Sequence, residues 1–287
     1  MRLSRLVATA GVVASCIAAH SSQAQQPEYR DPSLEIKDTR NGGRFAVWIM
    51  PPKLLEATLK IDTSAENMTL SRITPFTLKV TSKTIDFKRP TSILQANQTH
   101  DGHYDFQWHY HWVCGVPGGK PDAKFAYALP FEKGTHCRVD QGYFGTFSHQ
   151  RGTADQYALD FNQPAGTPVC AARAGVVVAV RGDSNVGGPN MELYKNAANY
   201  IVIKHADGTY GDYWHLRHFS PLVILGQTVK QGQRIGQVGA TGAASCPHLH
   251  FDVSVPDKDS TKVTYPVKFA TESGIKTLSE GETFIVK

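Results

Sequence analysis

After its first twenty residues the chain has no apolar run long enough to cross a bilayer, and it sustains no helical period. A membrane-spanning protein and a helical bundle are therefore not expected. Charge is sparse at 19% of residues, and its two signs are interspersed, with a formal net charge of +5. No basic stripe runs through it, so nucleic acid is not an expected partner. Cysteine is scarce, five in 287 residues. Apolar residues make up 41%, enough to bury one large core or two modest ones.

What stands at the N-terminus predicts export. Arg2 and Arg5 form a short basic region, Leu6 to Ala19 is uncharged and apolar, and Ser22-Gln23-Ala24 supplies small residues for cleavage. Residues 1–24 read as a signal peptide, which sends the chain to the periplasm or outside the cell. Val13-Ala14-Ser15-Cys16 resembles a relaxed lipobox, but Ile17-Ala18-Ala19 continue the apolar run past Cys16. A lipoprotein anchored through Cys16 is the lesser alternative. Removing Arg2 and Arg5 leaves a mild basic excess, compatible with an anionic wall polymer. Four cysteines remain, Cys114, Cys137, Cys170 and Cys246, an even number for an oxidising compartment. Three pairings are possible; the local one, Cys114–Cys137, is favoured and would leave Cys170–Cys246.

An all-β chain is expected. Arg44–Ile49, Ala57–Ile61, Phe76–Val80 and His103–Trp112 read as short alternating strands separated by polar or proline-containing breaks. They predict a β-sandwich-like accessory domain over residues 25–125, ending at the Gly/Pro-rich stretch Gly115–Pro121. A second domain, residues 126–287 with its core at 140–256, contains Pro168–Ala172, Gly175–Arg181, Tyr200–His205, Tyr210–Trp214 and His248–Val255. Asp207-Gly208 marks a hairpin, and the loop between Gly182 and Ala198 is long enough to be functional.

Chemistry concentrates in the second domain. In Pro247-His248-Leu249-His250-Phe251, strand alternation puts His248 and His250 on one face and Leu249 and Phe251 on the other. An isolated pair of this kind is usually two solvated histidines. Trp108-His109-Tyr110-His111-Trp112 is such a case: its aromatics share one face, and Asp105 is the one carboxylate that accompanies Gln107, His109 and His111 on the wetter one. Around His248 and His250 stand three more residues of the right type. Asp160 interrupts the apolar strand Tyr157–Phe161, where an unpaired carboxylate would be costly. His149 precedes it, and His215 ends the hairpin strand Tyr210–Trp214. Two histidines and one carboxylate hold zinc with an open fourth position, the catalytic arrangement. Further histidines can then move protons.

The ordered set His149, Asp160, His215 and His248-Leu-His250 resembles the lysostaphin-type (LytM-type) zinc endopeptidases of bacterial cell walls. Supporting segments are Gly166–Val178, Asn199–His205, the glycine turns of Gly226–Gly239, and Gly242 before Pro247. The resemblance covers residues 126 to 260. It implies a compact, mostly antiparallel fold of the duplicated hybrid motif type, with one zinc ion per chain held by His149, Asp160 and His250. It also implies His215 and His248 as catalytic histidines, Tyr143 as an oxyanion-stabilising candidate, and peptidoglycan stem or cross-link peptides as substrate. One departure concerns the long segment between His149 and Asp160; Gln141-Gly-Tyr-Phe-Gly-Thr-Phe-Ser-His149 matches a subgroup that has it. His136, beside Cys137, is the other nearby histidine and fits worse. His205 and His218 read as surface residues, and Arg173 as paired with a surface carboxylate. The accessory domain is expected to restrict access to the groove, and the chain to act as a monomer. Two rival classes remain: a metal-inactive wall-binding or amidase-activating protein of this fold, and a mononuclear iron oxygenase with the same ligand types.

Overall fold

The computed structural model describes residues 31–287, together with the backbone of a two-residue strand at Ala14–Ser15. Apart from that strand, the signal peptide, with Cys16, lies outside the described residues. Nearly all regular structure is β, and the single α-helix described is the one-turn Met191–Tyr194. Among the described residues no helix is long and apolar enough to cross a membrane.

Two four-stranded sheets make the N-terminal region. One has the order Ala14–Ser15, Asp105–Cys114, Ala57–Glu66, Phe76–Val80; the other has Ile36–Asn41, Arg44–Ile49, Thr91–Gln98, Met68–Leu70. Strand alternation builds their shared core. Phe45, Val47 and Ile49 from one sheet meet Leu59, Ile61, Phe106 and Trp108 from the other. Phe106, Trp108, Tyr110 and Trp112 are buried, whereas Gln107, His109 and His111 are only half-buried, as their alternation predicts.

The C-terminal region is organised by a nine-stranded sheet. Its order is Thr228–Val229, Gly175–Arg181, Tyr200–Lys204, Tyr210–Trp214, His248–Pro256, Leu159–Asn162, His136–Gln141, Thr283–Ile285, with Lys262–Thr264 also paired to His248–Pro256. Every pairing in it is antiparallel. One face carries Phe161, Ile201, Ile203, Tyr213, Leu249, Phe251 and Val253 into a core closed by Tyr127, Phe131 and Phe269.

The opposite face is divided between the N-terminal region and the polar residues of the candidate site. Val178, Ala179, Tyr200, Val202 and Tyr210 join the N-terminal core as one cluster. Polar bonds reinforce the contact: Lys204 Nζ pairs with Glu56 at 2.7 Å, Tyr210 Oη donates to Glu56 at 2.7 Å, and Tyr200 Oη donates to Asp31 at 2.8 Å. The Gly115–Pro121 stretch is fastened rather than free. Gly115 N–H donates to Glu56 O, Val116 N–H to Tyr210 Oη, and Lys120 N–H to Asp207 O. A Cβ on Gly119 would sit 2.1 Å from Gly208 O, which explains glycine at that crossing.

The expected disulfides are not formed; all four described cysteines are free thiols. Cys114 packs against the N-terminal core, whereas Cys137 belongs to the C-terminal one. Cys170 is buried and Cys246 exposed.

Candidate active site

One row of cross-strand partners forms the floor of the site. Tyr200 pairs with Trp214, Trp214 with His250, His250 with Asp160, and Asp160 with Gln141. Directly opposed residues project from the same face, so four strand pairings fix this set side by side. Leu249, Phe251, Leu159 and Phe161 alternate with the row and anchor it from behind. Above it lies a groove of about 340 Å³ lined by Asp160, His215, His248 and His250, with Phe147 and Ala243–Cys246 among its borders. All its lining residues fall between Asp140 and Glu280. Among the described residues, none of the N-terminal region lines the groove. That region contributes Asp31, Trp112 and Cys114 to a small adjoining cavity of about 40 Å³ that shares Lys195, Asn196, Ala198 and Trp214 with the groove.

His149, Asp160 and His250 come together as expected, with their nearest donor atoms all within 4.8 Å of one another. Asp160 Oδ1 is 2.9 Å from His250 Nδ1 and 3.5 Å from His149 Nε2. Burial would raise the Asp160 pKa, but the two histidines hold the carboxyl well below its ordinary range. His149 is fully buried in the loop after Gln141. Its Nδ1 is 3.3 Å from Gly142 O, which can only accept, so Nδ1 carries the proton when the ring is neutral. Nε2 is then a lone-pair donor, and it is buried without a hydrogen bond. At His250, burial opposes charge, yet Asp160 and Asp252 raise the pKa to about 10. An orphaned imidazole nitrogen beside carboxylates that call for positive charge fits a divalent cation. The donor set of two imidazoles and one carboxylate fits zinc.

His215 and His248 stand next to this trio, with ring centroids 4.6 Å apart. Both are oriented by backbone carbonyls. His215 Nδ1 is 2.7 Å from Thr241 O, and His248 Nδ1 is 2.9 Å from Cys246 O. Each ring therefore keeps Nε2 unprotonated when neutral. Burial, then the neighbouring His248 and His250, bring the His215 pKa down to about 3. His215 takes a left-handed conformation, φ +64°, at the end of its strand, where a non-glycine residue is uncommon. Gly242, φ +79°, stands against Ala198 and turns the chain toward the Ala243–Cys246 border.

Tyr143 is not brought into the groove. Its hydroxyl accepts from Val267 N–H at 3.0 Å and donates to Val267 O at 3.2 Å, and its ring packs on Tyr157 and the core. Burial pushes its pKa up to about 12. His205 is buried rather than superficial; desolvation lowers its pKa to about 4. Arg173 pairs with a carboxylate, Asp207, at 2.6 Å, but the pair is largely buried rather than superficial, and Arg173 also donates to Tyr127.

Three residues that matter here escaped sequence reasoning. Gln141 Nε2 donates to Asp160 Oδ2 at 2.7 Å and to Ser148 Oγ at 2.8 Å, while its Oε1 accepts from Ser148 N–H at 2.8 Å. One amide thus ties Asp160 to the residue before His149. Asp252 Oδ2 lies 3.3 Å from His250 Nε2, and Lys262 Nζ lies 2.6 Å from the same oxygen. Strand parity could have found Asp252, two residues after His250; nothing local points to Lys262.

Residues 154–263 match the model of peptidase family M23, a span that includes Asp160, His215, His248 and His250 and begins just after His149. The chain is 38% identical over 120 residues to peptidoglycan DD-endopeptidase ShyB of Vibrio cholerae, covering 41% of this chain and 25% of that protein. It is 35% identical over 119 residues to lysostaphin of Staphylococcus simulans, covering 41% and 22%. The match thus spans about a quarter or less of these curated relatives. Among solved structures, the catalytic domain of the antimicrobial peptidase lysostaphin from Staphylococcus simulans is 28% identical. It covers 45% of this chain and 87% of that one, with a TM-score of 0.31.

Proposed function

We propose, from the premise that this chain belongs to peptidase family M23 through residues 154–263, that it is an exported zinc endopeptidase acting on peptidoglycan peptides. The observation that carries this reading is the trio of His149, Asp160 and His250 beside two carbonyl-oriented histidines in a single groove. His149 Nε2, Asp160 and His250 Nδ1 would hold one zinc ion, which when bound polarises a scissile carbonyl and activates water. His215 and His248 offer two Nε2 atoms that take and return a proton or donate to the developing oxyanion. Asp160 and Gln141 keep the ligand histidines in place.

The bond cleaved is a peptide bond of a stem or cross-link, not a glycosidic bond. The inactive wall-binding alternative is disfavoured because all five residues are present and assembled. Purified sacculi of defined chemistry, incubated with the protein and analysed by mass, test the reading. New amino groups on released peptides are expected; new reducing sugar ends without new amino groups would refute it.

A further inference from the structure

Beside the trio is a second group with the make-up of a metal site. Donor atoms of Asp155, His250 and Asp252 also lie within 4.8 Å of one another. This pocket already contains a cation. Lys262 Nζ sits 3.1 Å from Asp155 Oδ1, 2.6 Å from Asp252 Oδ2 and 4.0 Å from Asp212 Oδ2. The Asp252 side chain has no exposed surface and that of Lys262 only 8%, so this ammonium balances a carboxylate that water does not reach. Removing one member of such a buried cluster leaves an uncompensated charge.

The same Asp252 oxygen that receives Lys262 faces His250 Nε2 at 3.3 Å. With zinc on His250 Nδ1, the ring's one remaining proton would stand on Nε2, directed at Asp252. A carboxylate in that position fixes the ring's orientation and makes its other nitrogen a better ligand. Lys262 arrives on the short strand Lys262–Thr264, and the turn before it is clamped to the N-terminal region. Ser260 Oγ donates to Thr58 O at 2.6 Å, and Ser260 is fully buried.

We propose that Lys262 is a positioning residue of the metal centre: it fills the acidic pocket behind His250, excludes a second metal ion, and holds Asp252 against the His250 ring. This rests on the zinc reading above. Lys262 is not a zinc ligand in this reading; it lines the edge of the groove and acts on His250 through Asp252.

The test uses the full chain and zinc itself. Zinc affinity is measured by chelator competition on Asp252→Asn, Lys262→Met and the double variant, with melting curves to establish folding. Cobalt-loaded protein gives a visible spectrum that reports ligand geometry. Each single variant should bind zinc about 10–100-fold more weakly, with a shifted cobalt band. The double variant should lose less than the product of the two, because both act on one ring. Should Lys262→Met not fold, Asp252→Asn decides, since it conserves size and leaves Lys262 beside Asp155. Parental affinity and spectrum in a folded Asp252→Asn would overturn the proposal, as would two zinc ions per parent chain. A parent chain that takes up no zinc would instead sink the zinc reading, and this proposal with it.

Discussion

Asp160 and His250 are direct cross-strand partners, joined by a 2.9 Å contact between Asp160 Oδ1 and His250 Nδ1. Two central strands of one sheet therefore set the spacing of two candidate ligands, and backbone pairing rather than loop conformation determines it. The third, His149, is on a loop and depends on a side chain for its placement.

That side chain is Gln141. Replacing it with Leu removes three hydrogen bonds, to Asp160 and to Ser148. The variant should bind zinc about 10–100-fold more weakly and lose about 1–3 kcal/mol of stability. Chelator competition and denaturant unfolding measure the two effects. Unchanged zinc affinity would show that the loop holds His149 without it.

Tyr143 gives a test of the opposite kind. Its hydroxyl is occupied on both sides by the Val267 backbone. Tyr143→Phe should therefore cost roughly 0.5–1.5 kcal/mol of stability without the 10²–10⁴-fold rate loss expected for a positioned catalytic group. A rate loss of that size in a folded variant would return Tyr143 to the chemistry.

The N-terminal region bears on folding. Deleting residues 1–125 exposes Val178, Tyr200, Val202 and Tyr210, which are buried against it. At about 1.5–3 kcal/mol for each large apolar side chain, that loss rivals a domain's whole stability of about 5–15 kcal/mol. The fragment 126–287 should lack a cooperative melting transition. A fragment that melts cooperatively near the parent temperature would mean that this contact contributes little.

Acid stability has a defined contributor away from the groove. Although burial opposes it, bonds from Thr209, the Asp122 amide and Arg173 lower the Asp207 pKa from 3.8 to about 2. A folded-state value below the unfolded one gives stability that is fully present above about pH 4. It is lost as pH falls through about 2. The stability gap between the parent and Asp207→Asn should be constant near neutrality and shrink across that window. Denaturant unfolding at several pH values reads it; a gap that widens toward acid would reverse the sign.

Much of the site was legible because strand alternation is a local rule. It placed His248 and His250 on one face, and the residues of ligand type around them distinguished this pair from His109 and His111, which the structure leaves half-buried. The strands Arg44–Ile49, Phe76–Val80, Gly175–Arg181 and Tyr210–Trp214 have their expected bounds. What escaped depends on distant contacts. Ile36–Asn41 and Thr91–Gln98 are polar at most positions, and their pairing with Arg44–Ile49 makes them strands. His205 reads as a hairpin flank until Tyr127 and the Ala174 carbonyl enclose it. Cysteine count suggested bridges, but Cys114 and Cys137 fold into different cores.

The separation of ligand from proton-carrying histidines is tested most directly by zinc content. It should be measured on folded His149→Ala, Asp160→Ala, His250→Ala, His215→Ala and His248→Ala. The first three should lose bound zinc and activity together, because each removes one of three protein ligands. The last two should retain one zinc ion per chain while their rates fall on the order of 10²–10⁴-fold. Full zinc occupancy in His149→Ala, or loss of zinc in His248→Ala, would contradict the assignment.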